Sequence, residues 1–172
     1  MSEYFIRRVC ALLSMSVMLA WGSANAMQNE PRDFKGVPWG APIEDHKLGL
    51  SLVSGDEVLA HYRRAADANS FANIDAWRIS YRYYKNRFSS ATVTIVGITN
   101  FNSMLNYLTG AYGQPDAVSP RHRIYTWAGE NAGIMTSCDI SLSCYIEFYG
   151  KQMRDLETAE QGEVPSKIKQ DD

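Results

Sequence analysis

Apolar and polar residues alternate along the centre of this chain, and the alternation predicts a β-hairpin. Trp77, Ile79, Tyr81 and Tyr83 recur at period two while Arg78, Ser80 and Arg82 fall between them, the pattern of a strand buried on one face. Lys85-Asn86-Arg87 reads as the turn, and Ala91, Val93 and Ile95 resume the alternation against Thr92 and Thr94. The period then changes. Phe101, Met104, Leu105, Leu108 and Tyr112 fall on one helical stripe, with Asn100 placed to cap its start, Gly113 to form a left-handed C-terminal cap and Pro115 to stop it. That stripe reads as core contact against the sheet rather than as a cofactor pocket. Upstream, Leu48, Leu50 and Leu52 alternate as in a short strand, whereas Glu57 to Ala66 leaves strand and helix both open. Downstream, Tyr125 with Trp127, then Ile134, then Leu142 through Ile146 to Phe148 mark three further strands.

These elements predict an α+β fold: an antiparallel sheet of about five strands with the 101–112 helix packed on one face. Ahead of the strands, residues 34–45 form an irregular stretch pinned to the core by Phe34, Val37 and Trp39, with Pro42 opening one helical turn. The expected organisation is a signal peptide over 1–26, a flexible lead-in over 27–33, one domain over 34–153 and a disordered tail over 154–172. Apolar residues thin out past Met153 apart from Leu156, Val164 and Ile168, so the segment behind that last boundary reads as a frayed helix followed by a disordered tail.

The first 26 residues change the picture most. Arg7 and Arg8 precede an apolar run from Val9 to Trp21, and Ala24-Asn25-Ala26 supplies the small residues of a cleavage site. The run is shorter than the ~20 residues of a membrane-spanning helix, and polar residues follow at once, which argues against an uncleaved anchor. The arginine pair lacks the flanking pattern of the twin-arginine route. Cys10 lies inside the apolar run without the small residues a lipoprotein needs before it. The expected location is therefore periplasmic or secreted, with no stable membrane insertion after cleavage.

Loss of Glu3, Arg7 and Arg8 moves the formal net charge from −2 to −3. A balance of that sign disfavours nucleic acid, whose binding needs concentrated positive charge. It also leaves two cysteines, Cys138 and Cys144, in a segment that reads as a hairpin. In an oxidising compartment they are expected to pair, since facing cysteines at a non-hydrogen-bonded position of an antiparallel pair have suitably close Cα atoms. A redox pair more often has Cys-x-x-Cys spacing, and a metal site needs further ligands.

Catalytic constellations are absent from the pattern. His46, His61 and His122 form no His-x-x-x-His or His-x-His pair, so neither a metal nor a cofactor is implied. No Gly-x-Ser-x-Gly elbow or phosphate-cradling glycine loop occurs; Ser51 to Gly55 lacks the first glycine. The carboxylate pairs Glu44-Asp45 and Asp56-Glu57 fall in loop-like segments. What remains is aromatic and arginine content. With Trp77, Ile79 and Tyr81 turned toward the helix, Arg78, Arg82 and Tyr84 make a face suited to an envelope protein, peptide or glycan.

The order FKGVPWGAP, ISYRYYKNRFSSATVTIVG, NFNSMLNYLTGAYGQP and YTWAG resembles a widespread group of exported bacterial proteins. That group carries an opening Phe-x-Gly-x-x-Trp-Gly motif, a Tyr-x-Phe-Tyr hairpin, a helix ending in Tyr-Gly-x-Pro and a later Trp-Gly strand. The resemblance covers about Phe34 to Phe148, with Tyr83 in place of the usual Phe and Ala128 between Trp127 and Gly129. Its motifs are aromatics and turn glycines, so it implies the fold and carries no catalytic residue. The function expected is a non-catalytic periplasmic binding or protein-interaction module. Two alternatives stay open: a hydrolase of an envelope polymer, with carboxylates or His61 gathered by the fold, and an inhibitor or immunity protein presenting a loop such as Asp139 to Ser143.

Overall fold

The computed structural model describes residues 27–46, 49–67 and 69–162. The chain begins with β1 (Asp33–Phe34), β2 (Val37–Pro38), α1 (Ile43–His46), β3 (Leu50–Gly55), β4 (Leu59–Arg64), β5 (Ser70–Phe71) and β6 (Ile74–Asp75). The long hairpin β7 (Arg78–Tyr84) and β8 (Arg87–Val96) follows, then α2 (Ile98–Tyr112), β9 (Ala117–Ser119) and the 3-10 turn Pro120–His122. Last come β10 (Ile124–Ala128), β11 (Ala132–Cys138), β12 (Ser143–Gly150) and α3 (Lys151–Gly162).

Eight strands form one antiparallel sheet in the order β3-β4-β7-β8-β12-β11-β10-β9, and β1-β2 and β5-β6 are separate hairpins. The class is the expected α+β, with eight strands in the main sheet where five were expected. The additions are understandable. Leu50 and Leu52, expected in a short strand, do lie in β3, and Leu59–Arg64, where strand and helix were both open, forms β4. Strand β9, three residues long and mostly exposed, carries no alternation that marks a strand in sequence. Topologically, one meander runs to β8, α2 carries the chain over, and a second meander runs back from the far edge to close β12 against β8.

One row of side chains shows how the alternation builds the core: Trp127, Ile134, Phe148, Ala91, Tyr81 and Tyr62 are successive cross-strand neighbours. All but Tyr62 are buried, and α2 lays Phe101, Met104 and Leu108 into the same core. Each large side chain so buried contributes roughly 2 kcal/mol. The helix starts one turn earlier than its apolar stripe suggests. Gly97 is its cap, and Asn100 sits inside the first turn with its amide donating to the Val96 carbonyl at 3.1 Å. At the other end Gly113 has φ 87 and ψ −169, a positive φ but an extended rather than left-handed helical conformation. Its carbonyl receives the indole N–H of fully buried Trp127 at 2.8 Å, which ties the helix end to β10.

The N-terminal segment is packed rather than flexible. Met27 is buried, the Gln28 N–H donates to Tyr112, and the Glu30 carboxylate accepts the backbone N–H groups of Glu130, Asn131 and Ala132. Those amides of the β10–β11 turn need an acceptor, and Glu30 supplies it. Further on, Lys35 and Gly36 take φ of 50° and 82° to turn β1 into β2. Trp39 then stacks on Phe88 with centroids 5.2 Å apart while its indole N–H donates to Pro31 at 2.7 Å. Where a frayed helix was expected past Met153, α3 runs over Lys151–Gly162 and docks on the sheet. The signal-peptide reading of 1–26, Leu48 of the proposed first strand, and residues 163–172 lie outside the described residues.

Candidate interaction site at the disulfide end of the sheet

Arg78, Arg82 and Tyr84 lie on one face of β7, opposite the core, but the structure does not leave them together in solvent. Helix α3 crosses that outer face. Arg82 pairs with Glu157, and buried Tyr84 donates its O–H to Glu160, which also pairs with Lys85. Arg154 completes the attachment by pairing with Glu147 at 2.7 Å and lying 3.8 Å from the Tyr149 ring centroid. The Tyr84 phenol is pushed up to about 12, first by its bond to Glu160 and then by burial. His61, directly across from Arg82, is held below its ordinary 6.5 by burial and then by the Arg82 charge, with Glu157 pulling upward. The expected exposed face is therefore corrected at Arg82 and Tyr84, and Arg78 alone remains beyond the helix.

A cleft of about 1410 Å³ lies between the N-terminal segment, Trp39 and the start of α3. Three of its polar groups are engaged within the chain: Glu30 and the Trp39 indole as described, and Lys151 with the Gly129 carbonyl. It reads as the seam that fastens the N-terminal segment. Among the described residues no group of three His, Cys, Asp or Glu side chains could hold a metal ion, and no helix is long and apolar enough to cross a membrane.

The other end of the sheet has a different character. Cys138 and Cys144 face each other in β11 and β12 with Cα atoms 4.0 Å apart and form the disulfide. The flanking Asp139 N–H to Ser143 O bond marks their position as non-hydrogen-bonded, the geometry expected from the spacing. Between them the Asp139 carboxylate accepts the Ser141 N–H, the Ser141 hydroxyl and the Ser143 N–H at 2.8, 2.6 and 3.0 Å. The Leu142 N–H returns to the Asp139 carbonyl, and the Leu142 carbonyl accepts from Gly97. A loop closed by a covalent bond and by this many internal bonds holds Ile140 wholly exposed, at 104% of its reference area.

Register places other exposed apolar residues at the same end. Val96 is opposite Ser143, Ile98 begins α2 one residue past Gly97, and Tyr145 neighbours Thr94, which in turn neighbours Arg78. Trp77, expected to face the core, lies one residue before β7 and is 63% exposed, with the Arg78 guanidinium 4.5 Å from its ring centroid. A hollow of about 300 Å³ beside Ile140 is lined by Arg121, His122, Arg123 and Ile124 together with the disulfide loop. Trp, Tyr, Arg and Ile gathered around a fixed loop have the composition of a protein contact surface. Of these residues the sequence reading named Arg78 and the loop Asp139 to Ser143. Ile140 itself carried a signal, an isolated large apolar residue among Asp and Ser inside a disulfide loop.

Comparison with protein-family models, with curated proteins and with solved structures finds no match to this chain.

Proposed function

We propose that this protein is a non-catalytic protein-interaction module of the bacterial envelope and that its contact surface is the disulfide end of the sheet. The observation that carries this reading is the exposure of Trp77 and Ile140 at one end of the sheet, Ile140 on a loop held rigid by Cys138–Cys144 and Asp139. Monomeric proteins rarely gather large apolar side chains in solvent without a partner, and a pre-ordered loop lowers the entropy cost of binding. Support for the compartment comes from the leader-like pattern of residues 1–26 and from the disulfide.

The test uses residues 27–172 as bait against envelope extract, side by side with the double variant Trp77→Ala, Ile140→Asp. A partner retained by the first and lost by the second agrees with the reading. Equal recovery by both, or recovery of neither, counts against it. A second reading, an inhibitor of an envelope enzyme, is favoured by one feature: the projecting Asp139–Ser143 loop has the form of a segment inserted into a cleft. Loss of that enzyme's activity on adding the protein, restored by Ile140→Asp, separates it from a scaffolding role.

A further inference from the structure

We infer that the partner of this surface is an acidic protein that receives Ile140 in an apolar recess and sets carboxylates against Arg78 and Arg121. The inference rests on the reading above and adds the chemistry of the partner. Four ion pairs occur among the described residues: Lys35–Asp67, Arg82–Glu157, Lys85–Glu160 and Arg154–Glu147. None uses Arg78, Arg121 or Arg123, although the chain as a whole is acidic, with a formal charge of −2. The one carboxylate lining the hollow beside Ile140 is Asp139, whose Oδ1 is taken up by Ser141 and Ser143 within the loop and which forms no ion pair among the described residues.

Arg121 and Arg123 thus make no ion pair among the described residues and line the hollow beside an apolar side chain held in a single position. Arg78, three strands away on β7, lies over the exposed Trp77 ring at the same end of the sheet. Basic groups near an exposed apolar anchor favour a surface of opposite charge: the charges speed encounter and reject like-charged proteins, and the anchor slows release. A lipid surface would exploit the same charges but has no use for one side chain fixed on a closed loop. The rigidity of the loop therefore favours a folded protein with a matching recess.

The experiment places a photo-crosslinking residue at position 124, exposed in the hollow beside Ile140, in the full chain expressed in its native cells, with the same residue at exposed Leu52 on the far edge strand as control. The expected result is a protein adduct specific to position 124, joined through a peptide rich in Asp and Glu. The yield should fall at least tenfold in the double variant Arg78→Glu, Arg121→Glu, whose melting temperature is unchanged. A protein adduct that survives the charge reversal overturns the acidic-partner inference and leaves the interaction reading standing. Adducts with lipid alone, or no excess over position 52, overturn both.

Discussion

Asp139 shapes the candidate site more than any apolar residue does, because its three accepted bonds set the path of the loop that carries Ile140. Those bonds, the Ser141 hydroxyl first, hold its carboxyl below the ordinary 3.8. A carboxyl lowered on folding stabilises the fold above its unfolded value, and the contribution is lost as pH falls through the folded value. The Ser141 and Ser143 amide resonances should therefore hold their positions from pH 7 to pH 5 and move only below about pH 3.8. Movement near pH 6 in an NMR titration would contradict the assignment. His61 has the same sign in a higher pH range. Its pKa is lowered from 6.5, so the unfolded chain takes up the proton first and the fold loses stability as pH drops below that value. Since Glu157 is the group that raises it, Glu157→Gln should shift the His61 ring-proton titration lower still. An upward shift sinks this account of the cluster.

At the scale of elements, α3 is held differently from the rest. The described side chains it buries are Met153 and Glu157, and its polar attachments include the pairs made by Arg154, Glu157 and Glu160 and the bond from Lys151 to Gly129 at its start. Arg82→Leu strands Glu157, a change that costs about 3–5 kcal/mol for a fully buried pair and less here because the Arg82 side chain is 25% exposed. Hydrogen exchange should show α3 amides opening at least tenfold faster while β8 and β12 keep their protection. Uniform acceleration across the sheet would mean that α3 is no separate unit. The same chemistry explains what the sequence concealed. Strands β7, β8 and β12 and helix α2 were legible because one face of each meets the core and stamps its period on the residues. Helix α3 docks through charges, which in a sequence read as a solvated segment. For the same reason Arg78, Arg82 and Tyr84 could be placed on the polar face of β7, but nothing local says that a helix covers the last two. The cysteine pairing was legible because five intervening residues fit the end of one hairpin.

For the molecule as a whole, stability and recognition sit in different places. The buried row from Trp127 to Tyr81, with α2 against it, crosses the middle of the sheet. The exposed Trp77, Ile140 and Tyr145 lie at its end, around a disulfide with sequence separation 6. Opening so small a covalent loop should cost about 2 kcal/mol in the chain-entropy model, a few degrees of melting temperature for a domain of this size. The middle of the core stays in place because the row from Trp127 to Tyr81 does not include the bond, which ties only the terminal row Cys138, Cys144 and Ile95. Recognition should suffer more, since Ile140 would have to be ordered again each time the partner binds. The paired variant Cys138→Ser, Cys144→Ser is therefore expected to keep the wild-type circular dichroism spectrum, melt a few degrees lower and bind its partner at least tenfold more weakly. If affinity is unchanged while the melting temperature falls, the disulfide serves the fold and the loop is not the contact. Loss of the folded spectrum would show instead that the end of the sheet is needed to hold its centre.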